Sequence, residues 1–264
     1  MSADRRRGRL GLRAVVLAYL TVLLLVPVGL VFYRTFQHGL APVWGSVTTP
    51  AAVHAFWLTI EIALIAVPLN TIFGVIAALA LARGRFRGKA VLDAVISLPF
   101  ALSPVVIGLA LLLVYGRGGW VSLPFQVIFS LPGMVLATAF VALPFVVREV
   151  VPVLREVGDE QEQAAATLGA SRWQVFWRIT LPAIRWGIAY GVVLTMARAI
   201  GEFGAVSVVS GRIAGQTQTL TLLVEQRFQN FDLAGAYAAS ALLGLIAIAT
   251  LLAMTVLKPR KDTA

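Results

Sequence analysis

The sequence predicts an all-α protein that crosses a membrane six times. Three observations carry that reading. Of its 264 residues, 59% are hydrophobic and only 13% are charged, about half the charged share of a soluble domain. Uncharged apolar runs recur at 14–33, 62–82, 94–116, 118–147 and 233–257, each long enough for a bilayer span of about 20 residues. Most of the 22 Lys and Arg residues gather between alternate runs.

Span one is expected at 12–34, behind Arg5, Arg6, Arg7, Arg9 and Arg13. A basic cluster followed by an apolar stretch mimics a secretory signal. This stretch exceeds the roughly 7–15 residues of a signal core and no small-residue cleavage site follows closely, so a retained anchor is expected. Span two, 56–82, is followed by Arg83, Arg85, Arg87 and Lys89 in the loop 83–91. Span three is 92–115. The run 118–147 carries Pro124, Ser130 and Pro132 in its first half, so 116–129 reads as a turn and 130–150 as span four. Span five, 184–208, is interrupted by Arg198 and Glu202. Span six, 234–257, runs into Lys258, Arg260 and Lys261.

Alternating spans leave outer loops at 35–55, 116–129 and 209–233. Arg148, Arg155, Arg172, Arg178 and Arg185 flank the remaining loop, 151–183. The positive-inside rule then puts that loop, the loop 83–91 and both tails, 1–11 and 258–264, in the cytoplasm. Topology thus explains a net charge of +10 that would otherwise suggest a nucleic-acid partner. Residues 12–257 form one membrane domain with no soluble repeat period.

Pro27, Pro68, Pro99, Pro104 and Pro144 fall within spans, where each removes a backbone donor and can kink its helix. They fit either ordinary membrane-helix proline or a bundle bent around a pathway. Gly187 and Gly191 share one face of span five, as Gly235 and Ala239, and Ala236 and Ser240, do in span six. Small-xxx-small faces allow close helix approach, within the chain or against a partner.

Arg198 and Glu202 are four apart and share a helix face. A lone charge at mid-bilayer costs about 2.5–3.5 kcal/mol on insertion scales, less when paired. The pair reads either as a structural ion pair or as the polar lining of a pathway. Glu61 and Asp93 fall near span ends, where headgroup contact is expected.

Several chemistries are missing. The chain has no cysteine, hence no disulfide framework or thiolate metal site. Its two histidines, His38 and His54, form no His-Glu-x-x-His helix, and no Gly-x-Ser-x-Gly elbow occurs. GRFRGKA at 84–90 has three residues between its glycines where a phosphate loop has about four, and Ala90 where Ser or Thr would hold magnesium. Any energy for work must come from another subunit.

The longest polar interruption, EQEQAAATLGASRWQVFWRITLPAIRWG at 160–187, is the informative one. Ala165, Leu168, Gly169, Trp173, Phe176 and Ile179 share one helical stripe. Gly169 suits the position after a helix C-terminus. Ser171 and Gln174 have the spacing of a capping box for a second short helix. Leu181-Pro182 opens the next span, with proline in the first turn. Two short helices across the cytoplasmic end are expected, with Ala164, Ala165 and Gly169 offering a small face. Physics alone fits a partner groove or an interfacial helix resting on lipid equally well.

The run QAAATLGASRWQVFWRITLP resembles the cytoplasmic-loop signature of binding-protein-dependent ABC importer permeases. That signature is Glu-Ala-Ala, three residues, Gly, nine residues, Ile-x-Leu-Pro. Ala164, Ala165, Gly169, Ile179, Leu181 and Pro182 match it. Gln163 stands where the family usually has glutamate, and Glu160 or Glu162 could stand in for the lost charge. The resemblance implies a coupling helix that docks into an ATPase cleft, with Ala170, Trp173 and Phe176 in the same loop.

The longer runs LPFALSPVVIGL, GMVLATAFVALPFVVREVVPVL and ARAIGEFGAVSVVSGRIAGQTQTL, with the following LLVE, are similar to sulfate/thiosulfate permeases, in particular their W-type subunit. Molybdate and tungstate permeases share a similar Gly-Glu-Phe-Gly-Ala run. Val-Ser-Gly at 209–211 and Val-Glu at 224–225 favour sulfate, while Thr221 replaces a proline common in both groups. The resemblance implies a type I importer permease fold in a bacterial inner (plasma) membrane. It also implies a second, T-type permease, two ATPase subunits that bind ATP and Mg, and an extracytoplasmic sulfate-binding protein. No cofactor is expected in this chain itself. A molybdate or tungstate permease, or a non-transport membrane scaffold, are the alternatives.

Overall fold

The computed structural model describes residues 12–13, 15–37, 39–121 and 123–257. The expected tails 1–11 and 258–264, and His38, lie outside the described residues. Every regular element among the described residues is a helix. In chain order they are α1 (Val15–Phe36), α2 (Leu40–Val47), α3 (Pro50–Arg83), α4 (Lys89–Ala101), α5 (Pro104–Tyr115), α6 (Leu131–Val157), α7 (Glu160–Thr167), α8 (Arg172–Ile200), α9 (Gly204–Val209), α10 (Leu220–Gln229) and α11 (Leu233–Leu257). Five of them, α1, α3, α6, α8 and α11, are long and apolar enough to cross a membrane.

The centre is built from α3, α6 and α8. Thr49 starts α3 by accepting the Ala52 N–H at 3.3 Å, with Pro50 in the first turn. Its 34 residues extend about 51 Å at 1.5 Å per residue, more than the ~30 Å hydrocarbon core, so this helix tilts or protrudes. Asn70 Nδ2 donates to Ala139 O at 3.0 Å and Arg83 Nη1 to Leu154 O at 2.9 Å. α3 and α6 therefore lie side by side in the same direction. α8 runs the opposite way: Gly191 lies against Val146 and Gly187 against Val153 and Glu149. The glycine face of span five thus packs within the chain. In span six, Ala239 packs with Ala52, Ala55, Leu220 and Leu223.

Two apolar clusters are stacked along α3 and α6. Leu58, Ile62, Ala66, Ile107, Met134, Val141 and Val206 form one. Val75, Ala78, Leu81, Ile96, Val147, Val150, Leu154 and Ile184 form the other. By contrast α1 is almost entirely exposed. Thr35, its one buried side chain among the described residues, ties α1 to α11 through Tyr237 O at 3.0 Å.

Four expectations need correction. The third span is not one straight helix: α4 and α5 meet at 111°. Leu102 and Ser103 are extended there, because a proline disfavours helical backbone at the residue before it and cannot donate a hydrogen bond. Pro104 thus opens α5 after the break, whereas Pro68, Pro99 and Pro144 sit inside helices. The fourth helix continues past residue 150 to Val157 and stops at Gly158, φ 71°. The fifth ends at Ile200, and Gly201–Phe203 separate it from α9. The outer loops 35–55 and 209–233 contain α2 and α10.

Two π-helical turns follow one pattern. Thr21–Leu25 precedes Pro27, and Phe176–Thr180 precedes Pro182. A proline ring clashes with the carbonyl four residues back in a regular helix. The wider turn relieves that clash. Val26 N–H bonds Thr21 O and Leu181 N–H bonds Phe176 O, each five residues back.

Candidate functional site

The segment 159–182 folds as its local signals dictate in two respects. Gly169 ends α7 with φ 87°. The Gly169 N–H bonds Ala166 O and the Ala170 N–H bonds Ala165 O, both at 3.0 Å, which is a Schellman end. Ser171 Oγ then accepts the Gln174 N–H at 3.3 Å, and Gln174 Oε1 accepts the Ser171 N–H at 2.8 Å. The capping box is complete.

The second short helix, however, is not separate. It runs through the π turn into the fifth span as the single helix α8. Nor do the six expected residues form one stripe, because Gly169 reverses the chain between them. Leu168, Gly169 and Trp173 are exposed, while Ala165, Phe176 and Ile179 are half-buried. Gln163 and Ala164 are exposed, Ala170 and Leu181 half-buried, and Pro182 exposed.

The outward face is unusually apolar for a polar loop. Leu168 is 89% and Trp173 69% exposed. Trp173 and Trp177 meet edge-on with centroids 5.3 Å apart, and Phe176 meets Trp177 at 5.5 Å. Phe176 also packs on the second apolar cluster, that of Val75, Leu154 and Ile184. An exposed tryptophan pair and an exposed leucine in a polar loop mark a site for a partner or a lipid surface.

Beneath α7 lies a cleft of about 430 Å³ lined by Arg83, Asp159, Glu162, Gln163, Arg172 and Thr180, among others. Its polar centre is Arg83, the last residue of α3. Arg83 Nε meets Glu162 Oε2 at 3.2 Å and Nη2 meets Oε1 at 3.3 Å. The same guanidinium donates to Leu154 O at 2.9 Å and to Gly158 O, at the C-terminal end of α6. Thr180, buried in the π turn, donates to Glu162 Oε1 at 2.9 Å. A cation at a helix C-terminus and a carboxylate in a first turn both complement the helix dipoles. Glu162 is thus turned inward, and Glu160 is the exposed carboxylate of α7.

Deeper in the bundle, Arg198 Nη2 and Glu202 Oε2 are 2.7 Å apart. Glu202 is buried and lies in the break after α8. Its Oε1 accepts the Ala205 N–H at 2.8 Å, starting α9, and its carbonyl accepts the Thr221 hydroxyl at 2.9 Å. Asp93 does more than approach a headgroup: it pairs with Arg148 at 3.2 Å, and Arg148 also donates to Ser97 Oγ. Glu61 is exposed on α3.

Sequence reasoning missed the roles of Arg83, Thr180 and the Leu154 and Gly158 carbonyls. Arg83 read as one more cytoplasmic charge. The available signal was its place as the first charge after an uncharged run, level with a glycine and an acidic cluster that follow another span.

Comparison with known proteins agrees with this architecture. Residues 70–263 match the family described as "Binding-protein-dependent transport system inner membrane component". The chain is similar to the "Sulfate transport system permease protein CysW" of Synechocystis sp., 52% identical over 94% of this chain and 91% of that protein. It is 51% identical to the Escherichia coli K12 protein of the same name, over 91% and 84% of the two chains. The Escherichia coli K12 "Sulfate transport system permease protein CysT" is 39% identical, over 89% and 86%. Among solved structures, a chain of a bacterial alginate ABC transporter superposes with a TM-score of 0.78 at 15% identity, covering 99% of this chain and 97% of that one. That likeness is one of fold.

Proposed function

The chain belongs to the family of binding-protein-dependent transport system inner membrane components, and from that membership we propose that it is the membrane permease subunit of an ATP-driven importer of sulfate and thiosulfate. The observation that carries the cargo is the near-full-length identity of 52% and 51% to two sulfate permeases. The lower identity to a T-type permease, 39%, supports a W-type subunit that pairs with a homologous T-type partner.

In this reading the bent pair α4 and α5 makes one crossing, giving six, with both termini and the segment 151–183 cytoplasmic in a bacterial inner membrane. Two ATPase subunits hold the ATP and Mg, and one of them takes up α7 and the turn that follows it through Ala164, Leu168 and Gly169, with Trp173 at the start of α8. An extracytoplasmic binding protein delivers the anion and supplies most of the selectivity. ATP binding draws the ATPase halves together, and α7 passes that movement to the spans. Arg198 and Glu202 hold the break between α8 and α9: Glu202 is buried, pairs with Arg198 and accepts the Ala205 N–H.

Radiolabelled sulfate uptake in cells that lack their own W-type permease tests the proposal. Uptake restored by this gene, blocked by excess thiosulfate and insensitive to molybdate, is the expected result. Uptake blocked by molybdate would move the cargo to that oxyanion. No uptake despite insertion and ATPase binding would overturn the reading.

A further inference from the structure

Helix α7 stands between two glycines in left-handed backbone, Gly158 at φ 71° and Gly169 at φ 87°. It is eight residues long, too short to hold its own shape or direction in water. A Cβ on Gly169 would meet nothing within 4 Å, and each end is held by hydrogen bonds to its neighbours, Gly158 O to Arg83 and Ala170 N–H to Ala165 O. What the helix turns inward is Glu162, and this carboxylate meets α3 through Arg83 and α8 through Thr180. Arg83 in turn holds the end of α6 through Leu154 O and Gly158 O.

We propose that Arg83 and Glu162 form a positioning latch that makes α7 move as one body with α3, α6 and α8. Its loss lets the ATPase pull α7 without moving the spans. The proposal rests on the permease reading above, since it supposes that α7 is the part the ATPase grips. The latch faces away from the exposed Leu168 and Trp173, so breaking it leaves the outward face in place. The planar Arg83 fork reaches the Glu162 carboxylate, Leu154 O and Gly158 O at once, which a lysine ammonium cannot reproduce.

The test uses the assembled complex in proteoliposomes, with Arg83→Gln, Arg83→Lys, Glu162→Gln and Thr180→Val variants that still co-purify with the ATPase. Sulfate taken up per ATP hydrolysed is expected to fall about tenfold in the first and third, within the usual range of coupling between sites. Arg83→Lys and Thr180→Val are expected to fall less, because the lysine keeps the positive charge and the valine leaves the Arg83–Glu162 pair whole. A merely structural role would lower assembly and both rates together and leave their ratio unchanged.

A second readout does not depend on the cargo. The chain has no cysteine, so spin labels can be placed at Gln161→Cys and Arg85→Cys alone, both exposed. Their distance distribution is expected to be narrow and the same in every nucleotide state. With Glu162→Gln added it is expected to broaden and to change with nucleotide. If the labelled wild-type complex shows the narrow distribution but takes up no sulfate, the cargo assignment fails and the latch stands. A distribution as narrow in the Glu162→Gln complex as in wild type, or an unchanged transport ratio, overturns the latch.

Discussion

Gly191 and Val146 leave no room for a methyl group between them: a Cβ on Gly191 would lie 2.8 Å from the Val146 Cα. This approach brings α8 against α6. Gly187, one turn away, would place a Cβ 3.1 Å from Val153 Cγ2 and 3.2 Å from Glu149 O. Gly191→Val is expected to cost about 1–3 kcal/mol through overpacking, and Gly187→Ala less. The thermal midpoint of the purified protein in detergent checks the order. Equal midpoints for wild type and Gly191→Val would refute the close contact.

Gly169 is held by its conformation and by no packing of its own. Its left-handed backbone costs an ordinary residue about 1–2 kcal/mol, while asparagine tolerates it. Gly169→Asn is expected to keep uptake near wild type. Gly169→Trp is expected to abolish ATPase binding while the permease still inserts. Co-purification with the ATPase reads this directly, and normal binding by the tryptophan variant would remove Gly169 from the docking face.

The Arg198–Glu202 pair separates stability from transport. Arg198→Met strands a buried carboxylate, which typically costs about 3–5 kcal/mol. Adding Glu202→Gln removes the charge yet keeps an oxygen for the Ala205 N–H. The double variant is therefore expected to fold better than Arg198→Met alone and to recover uptake. A charge swap is expected to recover less, because arginine at 202 cannot accept that N–H. A well-folded double variant without uptake would assign the pair to the pathway instead.

Pro182 gives the π turn its reason to exist. Pro182→Ala restores an N–H that can bond four residues back, so Phe176–Thr180 is expected to relax to regular helix. That change rotates the segment 172–175, including Trp173, relative to the span by roughly one residue's worth of turn, about 100°. Weaker ATPase binding with an unchanged thermal midpoint is the expected outcome. Chemical cross-linking from Trp173→Cys before and after the change measures the rotation.

The elements that sequence reasoning recovered are those governed by local chemistry. Gly169 and Ser171–Gln174 are end signals within one turn of the groups they satisfy, so their geometry follows from spacing. The apolar runs at 62–82 and 233–257 became helix because a backbone in lipid must satisfy its own hydrogen bonds. The bend between α4 and α5 is legible at Pro104 only as a kink, since apolar length says nothing of the direction a chain takes after a break. The stripe through Ala165, Leu168, Trp173 and Phe176 failed because it extended one helical period across a glycine that ends the helix.

By itself, then, the sequence determined that this chain is a helical membrane protein rich in apolar spans, and that residues 163–182 resemble the loop signature of its family. Only the tertiary structure decided which charges meet. Arg83 and Glu162 are brought together because α3 and α6 run side by side and end level, so that the turn at Gly158 returns α7 beneath both. Contact between residues so far apart in sequence depends on how whole helices pack, and no local spacing encodes it.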